Sequence, residues 1–506
     1  MPHLLRGAEK FVARRRWLLT VPLLLPASKV FSALQAVRRT LRRTLWGARL
    51  HETRVRRLQA AVLAWRAGAR DRPLCTARRE WQSVSTPRTG SYKRAAHRVT
   101  VNLPDVLEVD TARGIVRVGP GVTMGRLTAL LNSRGWTLPV VPELESLTAG
   151  GLLLGYGVET SSHRHGLFSD NVTSCEVVLG TAERVRASAT EHADLFHALP
   201  WSRGALGFVT SMELRIVTAP PWVRLDYLPV SGLSGLCRRL ADLAGDPRGP
   251  RFVEGFVFSP DEGVIVVGDF AERPVRGATN RMGRWHKPWF HEHARKHLDT
   301  GSRTEYVPLR QYYHRHSRSL FWAAELLVPF GNHPAFRRTL GWLMRPSIAF
   351  LKLTETEGLR RDYQEQVVTQ EALVPIHRLA EAVAVLQEVF EVDKVWICPA
   401  RLRRTDPPGL AGPRGPAGEE LFADVGVFYS VPAPVRRGDP WDRRSATRRF
   451  EGWVRDNGGF LAPYALSEQT RQEYREMFDC TLYDRVRRAY GAEGVFMDAY
   501  DKTAPS

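Results

Sequence analysis

Cysteine is scarce in this chain of 506 residues: only Cys75, Cys175, Cys237, Cys398 and Cys480 occur, widely scattered and with no C-x-x-C pair. That spacing excludes a disulfide framework and a thiolate zinc site, and it fits a reducing compartment. Three catalytic signatures are also missing. The chain has no H-E-x-x-H, no Walker-A loop and no G-x-S-x-G elbow, so zinc proteases, P-loop enzymes and elbow hydrolases get no support. Acidic residues are sparse at one end only. The first 100 residues hold 23 Lys and Arg against 4 Asp and Glu, so almost all of the +20 net charge lies there and the body is near neutral.

What the chain does have is one dense glycine cluster: Thr148-Ala149-Gly150-Gly151-Leu152-Leu153-Leu154-Gly155-Tyr156-Gly157-Val158-Glu159-Thr160-Ser161-Ser162-His163-Arg164-His165-Gly166. Glycine lets backbone N–H groups approach a ligand with no Cβ in the way, and the Thr and Ser neighbours add donors. The run suits an anionic or planar cofactor. A second candidate, Gly119-Pro120-Gly121, fails as a dinucleotide fingerprint because its third glycine, Gly125, is a residue late and Pro120 removes an N–H.

Length alone predicts two or three domains. The apolar run Trp17–Phe31 sits between Arg14-Arg15-Arg16 and the pairs Arg38-Arg39 and Arg42-Arg43. Shorter than the roughly 20 residues that cross a bilayer, and interrupted by Pro22, Pro26 and Lys29, it predicts an interfacial anchor with arginines on anionic head groups rather than a spanning helix. An amphipathic helix is expected over 41–69, with short β-like runs from Ser83 onward. These include 99–103, 106–109 and 115–118, then a helix from Thr123 to about Ser133, and further strands at 173–179, 184–187 and 212–216. Beyond Pro220 the patterns predict strands at 252–258 and 264–267 and helices at 364–374 and 376–390.

The strings VGPGVTMGRL at 118–127, PEL followed by TAGG at 142–151, DNVTSCEVVL at 170–179 and GALGFVT at 204–210 resemble, in this order, the FAD domain of the p-cresol methylhydroxylase and vanillyl-alcohol oxidase superfamily. The resemblance implies an α+β fold. A two-subdomain FAD-binding domain over 48–219 would be followed by an α+β substrate or cap domain over 220–506, with residues 1–47 as the basic membrane-associated segment. It also implies that the glycine stretch, including Thr148, Ala149, Gly150, Gly151, Gly155, Gly157, Glu159, His163 and His165, lies along the FAD, with Gly204 and Gly207 in the second turn. No covalent flavin attachment is expected.

Longer strings, among them RFVEG at 251–255, YVPLRQYYHRHSRS at 306–319 and EMFDCTLYDRVR at 476–487, resemble the branch of that superfamily that reduces a sterol side chain. This implies NADPH as the electron donor, although no NADPH motif is visible, and a sterol or related isoprenoid lipid as the ligand. The enzyme would sit on the cytosolic face of a membrane, the endoplasmic reticulum in a eukaryote or the inner membrane in a bacterium. Reduction of an isolated double bond needs an acid beside the flavin, and Tyr312, Tyr313, His314, His316 and Tyr464 are the candidates. Burial makes an imidazolium a stronger acid, which favours a histidine.

Two other readings remain open on the residues. One keeps the fold as an FAD oxidase or dehydrogenase of a small alcohol or lactone. The other is a cofactor-free basic protein on membranes or nucleic acid, but the charge clusters beside an apolar run and no stacking module for RNA appears, so no nucleic acid is expected. Trp285, Trp289, Phe290, Phe321, Trp322, Phe330, Phe336 and Trp342 suit either a flat ligand or a core. His286, His291, His293 and His297 predict a solvated face and no metal, since no carboxylate complements them at ligand spacing.

Overall fold

The computed structural model describes residues 17–46, 50–68, 70–82, 92–344 and 347–503. Arg14, Arg15, Arg16 and Ser83 lie outside the described residues. Two largely antiparallel sheets form the body. The first has five strands in the spatial order Val106–Asp110, Ile115–Val118, Phe208–Arg215, Val172–Val178 and Arg184–Ser188. The second has eight, in the order Arg303–Pro308, Trp222–Ser231, Glu262–Ala271, Phe252–Ser259, Val395–Arg403, Glu419–Ser430, Val368–Pro375 and Phe460–Leu461. One hydrophobic core runs through both, from Val177 and Met212 in the first to Val395 and Phe422 in the second. The chain is thus α+β, as expected.

Local chemistry explains most elements. Thr123 caps the helix Met124–Asn132 by accepting the Arg126 N–H. The helix His51–Ala67 buries Val55, Leu58, Val62 and Trp65, and this face docks on Phe208 and Phe496. The C-terminal segment therefore returns to the first sheet, and Leu74 bridges to Phe496. Two expected elements are corrected. The strand expected at 99–103 is His97–Val99, and the helix expected at 364–374 is a helix Glu357–Gln366 followed by the strand Val368–Pro375. The β-branched run Val367-Val368-Thr369 ends that helix, and pairing with residues 422–430 makes the strand.

The N-terminal run is also longer than its sequence suggested. Trp17–Arg38 is helical throughout, 22 residues with mean hydropathy 1.5, long enough by length and composition alone to cross a membrane. Pro22 does not break it, because residues 20–24 open into a π-turn in which the Leu25 N–H reaches back to Thr20 O. One face docks on the body. Leu25 is buried among Trp289, Val328 and Leu343, and Lys29 donates to Met344 O. The other face leaves Leu18, Leu19, Leu23, Val30, Leu34 and Val37 exposed.

Candidate functional site

Residues 148–166 run along the seam between the sheets. On one side the Ala149 and Gly150 N–H groups donate to Val122 O and Pro120 O, both at 2.9 Å; on the other, Thr160 O accepts from the Val253 N–H at 2.9 Å. Most of the glycines serve packing. A Cβ on Gly150 would stand 2.6 Å from Pro120 Cβ, and one on Gly157 would stand 2.8 Å from Phe168 Cβ. Gly151 is different, for it is exposed and its Cβ position meets only Thr148 Oγ1 within 4 Å, at 3.1 Å. Just beyond it, among the described residues, the N–H groups of Tyr156, Gly157 and Val158 find no protein acceptor. An open glycine face followed by unspent buried donors fits a group rich in phosphate or carbonyl oxygens, as FAD is.

The neighbours of this cradle are well defined. Thr148 Oγ1 accepts from Arg78 Nη1 at 3.1 Å, a contact that the sequence reading missed. Leu152 and Leu153 are buried, and Leu154 O accepts the Arg203 N–H at 2.7 Å. Gly204, at φ +71°, lies against Leu154, whereas Gly207 is pressed on Val177 and Val178, where a side chain would not fit. Ser161 Oγ donates to Pro139 O. His163 Nε2 contacts Pro250 O at 3.0 Å, and burial brings both His163 and His165 down to about 4, with neighbouring arginines adding to the fall.

Beneath the cradle lies a network of buried charge. Arg315 is fully buried. It donates to both oxygens of Glu254 at 2.9 Å and to Glu159 Oε1 at 2.8 Å, while Trp396 Nε1 also donates to Glu254. Against the cost of burial, Arg315 and His316 hold Glu254 down to about 2. Burial instead pushes Glu159 up despite Arg315. The Arg315→Met variant would leave two carboxylates without a cation, and we expect it to lose about 3 to 5 kcal/mol of stability. Chemical denaturation measures this loss, which should shrink as pH falls, because the orphaned carboxyls then take up protons whereas the paired Glu254 stays charged.

Four of the candidate acids flank Arg315 on one segment; Tyr312, Tyr313 and His314 are already hydrogen-bonded, whereas both His316 nitrogens are buried without a hydrogen-bond partner among the described residues. Tyr312 OH is 2.9 Å from Thr160 Oγ1, and Tyr313 OH accepts from Thr137 Oγ1 at 3.0 Å. His314 lies 2.8 Å from Thr128 Oγ1 and 3.1 Å from Glu143 O. His316 is stacked on Phe321 with ring centroids 4.1 Å apart, and burial lowers it to about 4, with Arg315 adding to the fall. Tyr464 is half-buried against the core, beside Pro463, whose carbonyl accepts from Arg203.

A pair of carboxyls went unseen in the sequence. Glu371 and Asp424 are buried on the same face of adjacent strands, and Tyr156 OH from the glycine stretch donates to Asp424 Oδ1 at 2.8 Å. No donor reaches Glu371 Oε2 or Asp424 Oδ2 among the described residues. Two buried carboxyls side by side must share a proton. Burial raises Asp424 to about 7; burial and the Asp424 charge raise Glu371 well above its ordinary range. Half-buried Glu143, near the same cluster, is lifted to about 8 by burial and by Glu159.

The histidine run is corrected too. His291 and His297 are buried, at 0% and 2% exposure, rather than forming a solvated face.

Comparison with known proteins agrees with this geometry. Residues 77–188 match the family described as FAD binding domain. The Delta(24)-sterol reductase of Homo sapiens is 42% identical, over 98% of this chain and 95% of its own length. That of Arabidopsis thaliana is 36% identical over 97% and 92%, and the Delta(24)-sterol reductase homolog of Caenorhabditis elegans is 37% identical over 97% and 95%.

Proposed function

The chain belongs to the Delta(24)-sterol reductase family, and from that membership we propose that it reduces the double bond between carbons 24 and 25 of a sterol side chain, with bound FAD and with NADPH as reductant. In this reading residues 48–219 hold the cofactor, and residues 220–506 form the substrate side. The observation that carries it is the contact of the cradle with an acid: Tyr156, whose own N–H is unspent, hydrogen-bonds Asp424.

When bound and reduced, FAD supplies the hydride. The chain's part is to hold the cofactor on Gly151 and the 156–158 amides, to keep water out, and to deliver a proton to carbon 24. Tyr312 is a weaker acid here than usual, since burial raises it well above its ordinary value, and burial likewise pushes Tyr313 up. His316 is neutral at pH 7. The Glu371–Asp424 pair combines carboxyl acidity with a proton retained near neutral pH, which makes it the proton donor in this reading.

The test is anaerobic. NADPH should bleach the flavin of the purified protein, and a sterol with a 24,25 double bond should restore the oxidised spectrum with one equivalent of the saturated sterol. Reoxidation only by oxygen, with peroxide formed, would instead identify an oxidase.

Membrane attachment is read as in-plane, on the cytosolic face of the endoplasmic reticulum or of a bacterial inner membrane. A helix docked on the body through Leu25 and Lys29 has one face left for lipid, and Phe330, Leu340, Trp342 and Leu353 from the body are exposed as well. Replacing Leu23 and Leu34 with glutamate should lower binding to phosphatidylserine-containing vesicles at least about tenfold, measured by sedimentation, with FAD retained. Unchanged binding would remove this face from the anchor.

A further inference from the structure

The histidine-rich helix end meets a carboxylate that lies far along the chain. His293 belongs to the helix Phe290–Arg295, His297 opens the next turn His297–Thr300, and Gly301, at φ +75°, reverses the chain into the strand Arg303–Pro308 that carries Glu305. The reversal brings one ligand atom each of His293, His297 and Glu305 within 4.8 Å of one another. His293 Nε2 lies 2.9 Å from Glu305 Oε2, and Asn280 Nδ2 lies 2.8 Å from the same oxygen. The loop bearing Asn280 is pinned there, since the Asn280 N–H donates to Tyr306 O.

Two atoms in this cluster have no partner. His297 Nδ1 lies 3.3 Å from both Gly301 O and Thr300 Oγ1, and since the Thr300 hydroxyl donates to Lys296 O, two acceptors face Nδ1; that places the proton on Nδ1 and leaves the lone pair on Nε2, which is buried and unpartnered. Asn280 Oδ1 is likewise buried without a donor. A backbone carbonyl holding one imidazole nitrogen while the other points free is the arrangement that orients metal-binding histidines. Tyr227 stacks on the His297 ring, centroids 4.3 Å apart, and fixes its plane. A small cavity lined in part by Asn280, Met282 and His293 reaches the edge of the cluster.

We propose that His293, His297 and Glu305 bind one divalent ion of the zinc class, with Asn280 Oδ1 reaching the fourth position after its amide turns. Imidazole with carboxylate selects zinc, cobalt or nickel over magnesium or calcium. The ion would clamp the 290–300 helices and the 278–280 loop to the strand that leads into Tyr312–His316. A second cluster, His291, Glu292 and Glu325, is a poorer candidate because Lys394 already donates to both Glu325 oxygens, at 2.7 and 2.9 Å.

The experiment uses the full chain with FAD bound, without a histidine tag, dialysed against a chelator and then titrated with Zn2+ or Co2+. One equivalent of Zn2+ should be retained and should raise Tm, and Co2+ should add visible bands at wavelengths beyond the flavin absorption. His297→Phe keeps an aromatic ring on Tyr227 but removes the nitrogen. It should weaken Zn2+ binding at least about tenfold, since the loss of even a supporting contact costs that much, while the flavin spectrum stays unchanged. Glu305→Gln should do the same, and His291→Ala should not. The proposal is overturned if no metal is retained, or if binding survives His297→Phe and Glu305→Gln; loss in His291→Ala would then place the ion at the second cluster.

Discussion

Gly151→Phe should give a folded, colourless protein, with the ratio of flavin absorbance to protein at least about tenfold below that of the unchanged chain. The expectation rests on the asymmetry among the glycines. Gly151 is exposed, a Cβ there meets only Thr148 Oγ1 within 4 Å, and glycine in a helix is already worth roughly 0.5 to 1 kcal/mol less than alanine. The backbone at this position therefore has room for a Cβ, and the fold should persist. The added ring would instead occupy the open face next to the unspent amides of Tyr156, Gly157 and Val158. Gly150→Phe is the contrasting control: with Pro120 Cβ at 2.6 Å from its Cβ position, it should fail to fold. If Gly151→Phe purifies yellow, the cradle has been misplaced.

The second large effect concerns the acid pair. Glu371→Gln and Asp424→Asn should each keep FAD and its reduction by NADPH, yet lower sterol turnover by about 10² to 10⁴, the usual contribution of a general acid. The pH profile carries the sign. The protonated pair is the active form, so turnover of the unchanged chain should be highest in mild acid and fall as pH rises through the Asp424 value of about 7. Stability follows the same direction. Asp424 has a folded value above its ordinary one, so its contribution is complete below about 4 and is lost as pH rises through about 7. Asp424→Asn should therefore remove the fall in stability between about pH 4 and pH 7. Turnover of either variant within a few-fold of the parent would return the proton to the Tyr312–His316 group.

The family and its cofactor were legible in the sequence, because they depend on features local to the chain. The glycine stretch announces close backbone approach by its composition, Thr123 announces a helix start, and strands such as Val172–Val178 announce themselves by β-branched runs. Reading failed where local pattern and distant pairing conflicted. Residues 368–375 have enough leucine and alanine to pass for helix, and only hydrogen bonding to 422–430 makes them a strand.

The N-terminal run, apolar and flanked by arginines, predicted an interfacial anchor, but its docking on the body was not legible. That docking rests on Leu25 packed against Trp289 and Val328, more than 250 residues away in sequence. Burial and charge partners belong to the same class. Glu159, Glu254, Glu371 and Asp424 are unremarkable acids along the chain, and their perturbed behaviour comes from strand register and a shared, water-poor seam. Sequence by itself determined which backbone can approach a ligand, since that is a property of residue type. The tertiary structure alone decided which side chains lose water and which charges they meet, because desolvation and Coulomb energies depend on distances that the chain order does not contain.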